Sequence, residues 1–353
     1  MSENNALVKI SEAEYALQAA ADIHEMLDLR DKAMAYSMLA DAKGFKNAAQ
    51  KAKVFQLKSE RKAGDWLQEN VRHDGGRPQE NTDTLSTLGI HNKESQRWQL
   101  QASVPEERFN DWVDDSLDKG KEITASGLRK LAREVQREER IADDVLSAQD
   151  MEDKSDLWEL RLGDIASFDL PENSVDAIIV DPPYPKEYLD LYESLGSLAA
   201  HALKPGGSLL ALVGQAHLPT VMNILSEYLD YHWLMALHMK GPHMQLYQLK
   251  IANIWKPILW YTKGKYTGQS VRDLVDAGGM EKDRFKWQQG EGGFAKLVQD
   301  FTRPGDLVLD PLCGTGTTGV AAVKLGRRFI GLDIDEDRIA SAKVRLHDNQ
   351  KKR

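Results

Sequence analysis

Two stretches of the chain set acids beside residues that stiffen or free the backbone. Val175–Val180 is apolar and β-branched apart from Asp176, and it runs into Asp181-Pro182-Pro183-Tyr184. Two consecutive prolines cannot donate to a sheet ladder, so a strand should stop at Asp181 and a rigid turn should follow. That turn carries a carboxylate and an aromatic ring. The second stretch, Asp306 to Leu346, leads through Asp310-Pro311 and Cys313-Gly314-Thr315-Gly316-Thr317-Thr318 into an Ala/Val helix. Its glycines let the backbone approach a ligand closely, and the helix start offers unpaired N–H groups. A further strand ends at Asp333, where an acid suits a grip on ribose hydroxyls.

Such turns need a sheet to hold them. Strands are expected at about Trp158–Leu162, Val175–Val180, Ser208–Val213, Trp233–Met239, Pro257–Lys263, Asp306–Asp310 and Arg328–Ile334, alternating with helices. Ligands bind at the carboxyl edge of open α/β sheets, and both turns follow strand ends. The glycine turn alone leaves several cofactors open. Gly314, Gly316 and Gly319 fit the spacing of a dinucleotide binder, whereas no Gly-Lys-Ser/Thr follows to form a nucleotide-phosphate loop. Its pairing with the Asp181 turn is what argues against an oxidoreductase.

The 353 residues allow one large domain and a smaller one, at ordinary composition: 41% hydrophobic and 29% charged. The polar, acidic N-terminus reads as neither a secretory signal nor a transit peptide, no apolar run is long enough to cross a bilayer, and a single cysteine forbids an intrachain disulfide. A cytoplasmic protein is the expectation. Net charge −9 opposes indiscriminate coating of nucleic acid but permits a local basic groove.

The first half has a different grammar. Residues 1–72 read as a helical hairpin region, with Lys46, Lys51, Lys53, Lys58, Arg61 and Lys62 along one basic helix whose apolar stripe is broken at Ser59. A linker follows from His73, and 73–145 reads as a helix-turn-helix region: Leu85, Leu88, Ile90 and Trp98 supply a core, Gly89 turns the chain and Asn92 caps the second helix. Lys93, Glu94, Gln96 and Arg97 then stand at the start of the second helix, where base edges would be read. This layout resembles the helix-turn-helix of ParB-like partition proteins and of prophage proteins carrying the same module. The boundary to the second half is expected near 145–156.

With both turns in hand, Asp181-Pro182-Pro183-Tyr184 plus Asp310-Pro311-Leu312-Cys313-Gly314-Thr315-Gly316-Thr317-Thr318 resembles the amino-methyltransferases that modify adenine N6 or cytosine N4 in DNA. The glycine turn comes about 130 residues after the Asp181 turn, an order like that of the so-called beta group. The resemblance implies a Rossmann-like α/β methyltransferase domain over 157–346 with an all-α N-terminal domain, S-adenosylmethionine as cofactor, double-stranded DNA as partner, and no metal. It also implies roles. Asp181 and the Pro182 carbonyl would accept hydrogen bonds from an exocyclic amine, Pro183 would hold the turn, and Tyr184 would stack on an extruded base. Asp164 and Ile165 resemble the element touching the cofactor's adenine, while Asp310, Pro311, Cys313, Gly314, Gly316, Thr317, Thr318 and Asp333 complete the cofactor set. A short recognition segment is expected at about 236–300, with Lys240 and His243 as DNA contacts. Relatives often carry Lys-Pro before the glycine turn, whereas this chain has Gly293-Phe294, which leaves the parts of Gln288, Gln289 and Phe294 open.

Asp at 181, rather than Ser or Asn, favours adenine in DNA, with cytosine N4 as the alternative. Methylation at cytosine C5 would need a cysteine nucleophile directly after a proline, and Cys313 lies inside the cofactor turn as a small packing residue. From another class, a DNA-binding regulator with a non-catalytic methyltransferase body stays open, as does a homodimer.

Overall fold

The alternation of strands and helices in the second half folds as one eight-stranded sheet. The computed structural model describes residues 2–71, 84–239, 244–277 and 291–351, in two units, Met1–Glu138 and Glu139–Arg353. Lys240, His243, Gln288 and Gln289 lie outside the described residues.

The N-terminal unit is all-α. Helices α1 (Glu3–Ala19), α2 (Ile23–Ala42), α3 (Lys46–Asn70), α4 (Asn92–Ala102) and α5 (Glu106–Asp118) belong to it, and α6 (Ala125–Ala148) begins in it. Gly44, at φ +74, makes the break between α2 and α3. Ile90 and Trp98 share one buried cluster with Ile10, Ile23, Phe55 and Leu67, so the hairpin region and the segment after the linker form one core. Gly64 permits the crossing of α3 and α4, because a Cβ there would stand 2.2 Å from the Trp98 carbonyl oxygen. Ser59, the break in the apolar stripe, is fully buried and returns its hydroxyl to the Phe55 carbonyl at 3.1 Å.

Two local expectations need correction. Thr84–Gly89 forms a single turn, closed by Leu88 N–H to the Thr84 carbonyl (3.1 Å), instead of a regular first helix. The cap of α4 is His91, whose Nδ1 accepts from Lys93 N–H at 3.2 Å, instead of Asn92. Half of the basic face of α3 is also spent internally: Lys58 meets Glu14 at 3.2 Å, Arg61 meets Glu106 at 2.9 Å, and Lys62 donates to the Leu17 carbonyl at 2.6 Å.

In the second unit the strands are β1 (Trp158–Leu162), β2 (Val175–Val180), β3 (Leu203–Leu212), β4 (Asp230–His238), β5 (Met244–Leu246), β6 (Ile251–Asn253), β7 (Trp255–Thr262), β8 (Leu274–Asp276), β9 (Leu307–Asp310) and β10 (Arg328–Asp333). The main sheet runs β1-β10-β9-β2-β3-β7-β4-β8, and β5-β6 forms a separate ribbon. The first five strands of that order are mutually parallel; β7 is antiparallel to both its neighbours. Helices cover both faces. Ile178 and Val180 join the cluster that includes Leu195 of α7 (Leu191–Ala202) and Leu225 of α8 (Leu218–Ser226). Ile179 joins the other, with Leu297 of α9 (Glu291–Phe301), Val320 of α10 (Thr317–Lys324) and Leu346 of α11 (Glu336–Lys351). Period-two alternation divides one strand between two cores, and each such side chain contributes about 1.5–3 kcal/mol when fully buried. This is a Rossmann-like α/β fold. No helix among the described residues is long and apolar enough to cross a membrane.

Between β9 and β2 the winding reverses. From β9 the chain goes through α10 to β10 on one side, and from β2 through α7 to β3 on the other, which defines a topological switch point. The two strands pair at Ala177↔Val308 and Ile178↔Leu309. Asp176, out of place in an apolar strand, explains how so short a pairing is fixed. One carboxylate oxygen accepts the Leu307 N–H at 2.8 Å and the other meets Lys204 Nζ at 2.6 Å, tying β2 to β9 and to β3. Replacing Asp176 with Ala strips the Leu307 N–H of its partner and should cost about 1–3 kcal/mol. For a domain of this size that lowers the melting temperature by roughly 2–12 °C. An Asp176→Ala protein that melts with the wild type would show that this staple contributes nothing.

Candidate functional site

Asp181 directly follows β2 and Asp310 ends β9, so the register of these neighbouring parallel strands brings the two turns to one end of the sheet. β1 pairs with β10 through Leu162↔Asp333, which brings Asp164 to the same edge. Asp164, Asp181, Asp310 and Asp333 therefore lie along one edge of the sheet, with Asp181 and Asp310 at the switch point itself.

At the first turn Pro182 is buried and Pro183 exposed. Tyr184 donates its hydroxyl to Asp181 Oδ1. Its ring packs against the end of β3, where Gly214 leaves room: a Cβ there would lie 3.1 Å from Tyr184 Cβ. Lys256, the second residue of β7, completes the group. Its Nζ donates to the Tyr184 hydroxyl at 2.9 Å, lies 3.8 Å from Asp181 Oδ2 and stands 4.9 Å from the tyrosine ring centroid. Burial and the Asp181 carboxylate push the Tyr184 phenol well above its ordinary range, so it is a hydrogen-bond donor at neutral pH; Tyr192 is raised by the same two causes. Asp181 is thus oriented by a phenol and an ammonium, and each oxygen keeps a further lone pair.

Lys256 was legible only as a charge interrupting an apolar run. What makes it part of the site is the antiparallel return of β7, which delivers its first residues to the carboxyl edge of β3. A lysine inside an otherwise buried strand was the available signal.

The second turn is braced from several directions. Gly314 (φ +51) and Gly316 (φ +73) take left-handed conformations, and a Cβ on Gly314 would meet nothing within 4 Å, so the backbone is open there. Asp333 accepts Gly314 N–H at 2.8 Å and Asp335 N–H at 3.0 Å, so it shapes the turn in addition to facing it. Asp310 accepts the Thr318 hydroxyl at 2.6 Å and Leu312 N–H at 3.2 Å. Arg345 binds the Thr315 carbonyl at 2.6 Å and the Thr317 hydroxyl at 3.2 Å from behind. Cys313 turns its thiol into the core against Gly331, and burial raises that thiol well above its ordinary range, so it serves packing and no nucleophilic role. Asp164 caps a short turn through Ala166 N–H at 2.8 Å, while the Ile165 side chain is buried in the core. Phe294 is likewise a core residue.

Negative charge accumulates here. Burial is the main cause that lifts Asp310 to about 7, opposed by its two hydrogen bonds and assisted by Asp333 and Asp181. Asp333 is raised mainly by burial as well. A raised carboxyl pKa means that folding is favoured while the proton is held. The contribution of Asp310 is full below about pH 4 and is lost as pH climbs through about 7. Urea unfolding of wild type and Asp310→Asn at pH 4.5, 6 and 8 should show the wild type losing ground to the variant, by a few kcal/mol at most, as pH rises. A constant difference across that range would contradict a buried, proton-holding Asp310.

A Rossmann-like sheet with a glycine turn and converging carboxylates at its switch point defines a class of proteins that bind a small ligand at that crevice. Residues 175–344, which contain both turns, match the family model for N6/N4 DNA methylases. Two curated relatives are similar over part of this span: the type II methyltransferase M2.DpnII of Streptococcus pneumoniae, 39% identical over 85 residues, and M2.LlaDCHI of Lactococcus lactis subsp. cremoris, 37% identical over 86. Those alignments cover 22% and 23% of this chain and 31% and 32% of the relatives, so the chain spans about a third of their length. Among solved structures, the M1.HpyAVI–SAM complex aligns at TM-score 0.47 and 25% identity, over 54% of this chain and 99% of the other.

Proposed function

We propose that the protein transfers a methyl group from S-adenosylmethionine to the N6 amine of an adenine extruded from double-stranded DNA. The single observation that carries the reading is the β2–β9 pairing, which sets the Asp181 turn beside the glycine turn. The donor set suits the cofactor. Buried carboxylates with raised pKa values, around a glycine backbone that leaves open space, are matched to a molecule bearing sulfonium and ammonium charges. Gly314, Gly316, Asp310 and Asp333 would hold it, with Asp164 at the neighbouring strand end. When bound, it supplies an electrophilic methyl that needs no further activation.

The chain's own work is to prepare the amine. The lone pair of an adenine amine is delocalised into the ring. Asp181 and the Pro182 carbonyl accept its two N–H bonds and turn the lone pair outward, and the prolines hold the acceptors still. Lys256 and the Tyr184 hydroxyl hold the carboxylate aimed. Asp181 need not be a strong base, because the amine proton becomes acidic once the methyl has arrived. The β5–β6 ribbon, linked to the segment after β3 by Gln215 donating to Asn253 Oδ1 at 3.1 Å, presents Tyr247 and Leu249 to solvent as contacts for the nucleic acid.

Mass spectrometry of nucleosides from DNA treated with the protein and S-adenosylmethionine should detect N6-methyladenine. Asp181→Ala should abolish the transfer, by at least roughly 100-fold, while cofactor binding persists. N4-methylcytosine instead would move the assignment to cytosine. Binding of DNA and cofactor without any methylated nucleoside would favour a regulator.

A further inference from the structure

On an acidic chain, one cleft of the N-terminal unit is lined by cations. Lys93, Gln96 and Arg97 of α4 face Ser126, Arg129 and Arg133 of α6 across it, and no carboxylate is among its lining residues. The cations come in pairs four residues apart, so each helix presents a rail of two charges on one face. Leu57, Leu100, Phe109, Leu128 and Ala132 pack in a common cluster behind them, which fixes the spacing of the rails. Among the described residues none of the four enters an ion pair, whereas Arg61 and Arg108 of the same unit are neutralised by Glu106 and Glu138. Four like charges around one cleft, three of them exposed to solvent, make a local positive potential that attracts an anion.

We infer that this cleft clamps the sugar-phosphate backbone of double-stranded DNA. Two rails of separate charges match a polyanion with a regular charge spacing, and Gln96 and Ser126 add uncharged donors suited to phosphate oxygens. This changes the part expected of Lys93, Gln96 and Arg97. Instead of reading base edges alone, they share a cleft with cations from another helix and position the duplex whatever its sequence. The inference rests on the proposed function only for the choice of DNA as the polyanion. A phosphate clamp in this unit, added to contacts at the methyl-transfer site, would raise the effective concentration of DNA there.

The test is duplex binding by the full chain across a salt series, using a random 30-base-pair duplex without cofactor. With all four cations engaged, log K should fall against log salt with a slope whose share from this cleft is about 3.6. Arg129→Ala/Arg133→Ala should flatten the slope by about 2 and weaken low-salt binding by at least roughly tenfold. Arg129→Lys/Arg133→Lys should restore the slope, since a phosphate accepts a point charge where a bidentate base contact does not. Three results would overturn the clamp: an unchanged slope in the alanine variant with native helicity and melting, a lysine variant as weak as the alanine one, or losses confined to one DNA sequence. Nucleoside analysis of duplex treated with the wild type and S-adenosylmethionine separates the two readings: no methylated base with an intact salt slope removes the enzyme and leaves the clamp, whereas methylation with a slope unchanged in Arg129→Ala/Arg133→Ala removes the clamp and leaves the enzyme.

Discussion

The pairing of β2 with β9 is the contact on which the rest of the second unit turns. It joins segments about 130 residues apart in sequence, and only the register of Ala177 with Val308 and Ile178 with Leu309 brings the two acid-bearing turns together. A slip of one residue would exchange Ile178 and Ile179 between the two cores and misplace Asp181 at the same time. The Asp176 carboxylate resists that slip by holding the first residue of β9 and a lysine of β3. Folding energy and site geometry are therefore set by the same few bonds.

The electrostatics of the switch-point crevice follow from that convergence. Burial raises the cost of ionising both Asp310 and Asp333, Asp333 adds to that cost at Asp310, and the two are held by backbone N–H groups and a threonine hydroxyl. Lys256 is the cation set against Asp181, and it touches the tyrosine of the same turn. The crevice is thus divided into an acidic, glycine-lined part and a part where a carboxylate is oriented by a phenol and an ammonium. That division suits a cationic methyl donor on one side and an amine acceptor on the other.

Much of the frame was legible in the residues. Strands β1 and β2 match their expected limits because prolines, glycines and acids punctuate them, and the convergence of Asp164, Asp181, Asp310 and Asp333 follows from strand ends in an α/β alternation. What escaped depends on partners far along the chain. Phe294, whose part the sequence left open, packs in the core, and the basic helix α3 spends Lys58, Arg61 and Lys62 on its own unit. Lys256 was hidden by the antiparallel return of β7. Arg129 and Arg133 look like an ordinary charged helix face until the core behind them turns that face towards Lys93 and Arg97.

A crevice that holds methyl donor and acceptor amine simultaneously should bind a bisubstrate ligand. An adenosine joined through its exocyclic nitrogen to the sulfur-bearing arm of the cofactor would span both turns. Calorimetric titration should find it bound at least roughly 100-fold more tightly than either half alone, with that gain lost in Asp181→Ala. Affinity no better than that of the cofactor half, indifferent to Asp181, would mean that the two turns do not serve one reaction.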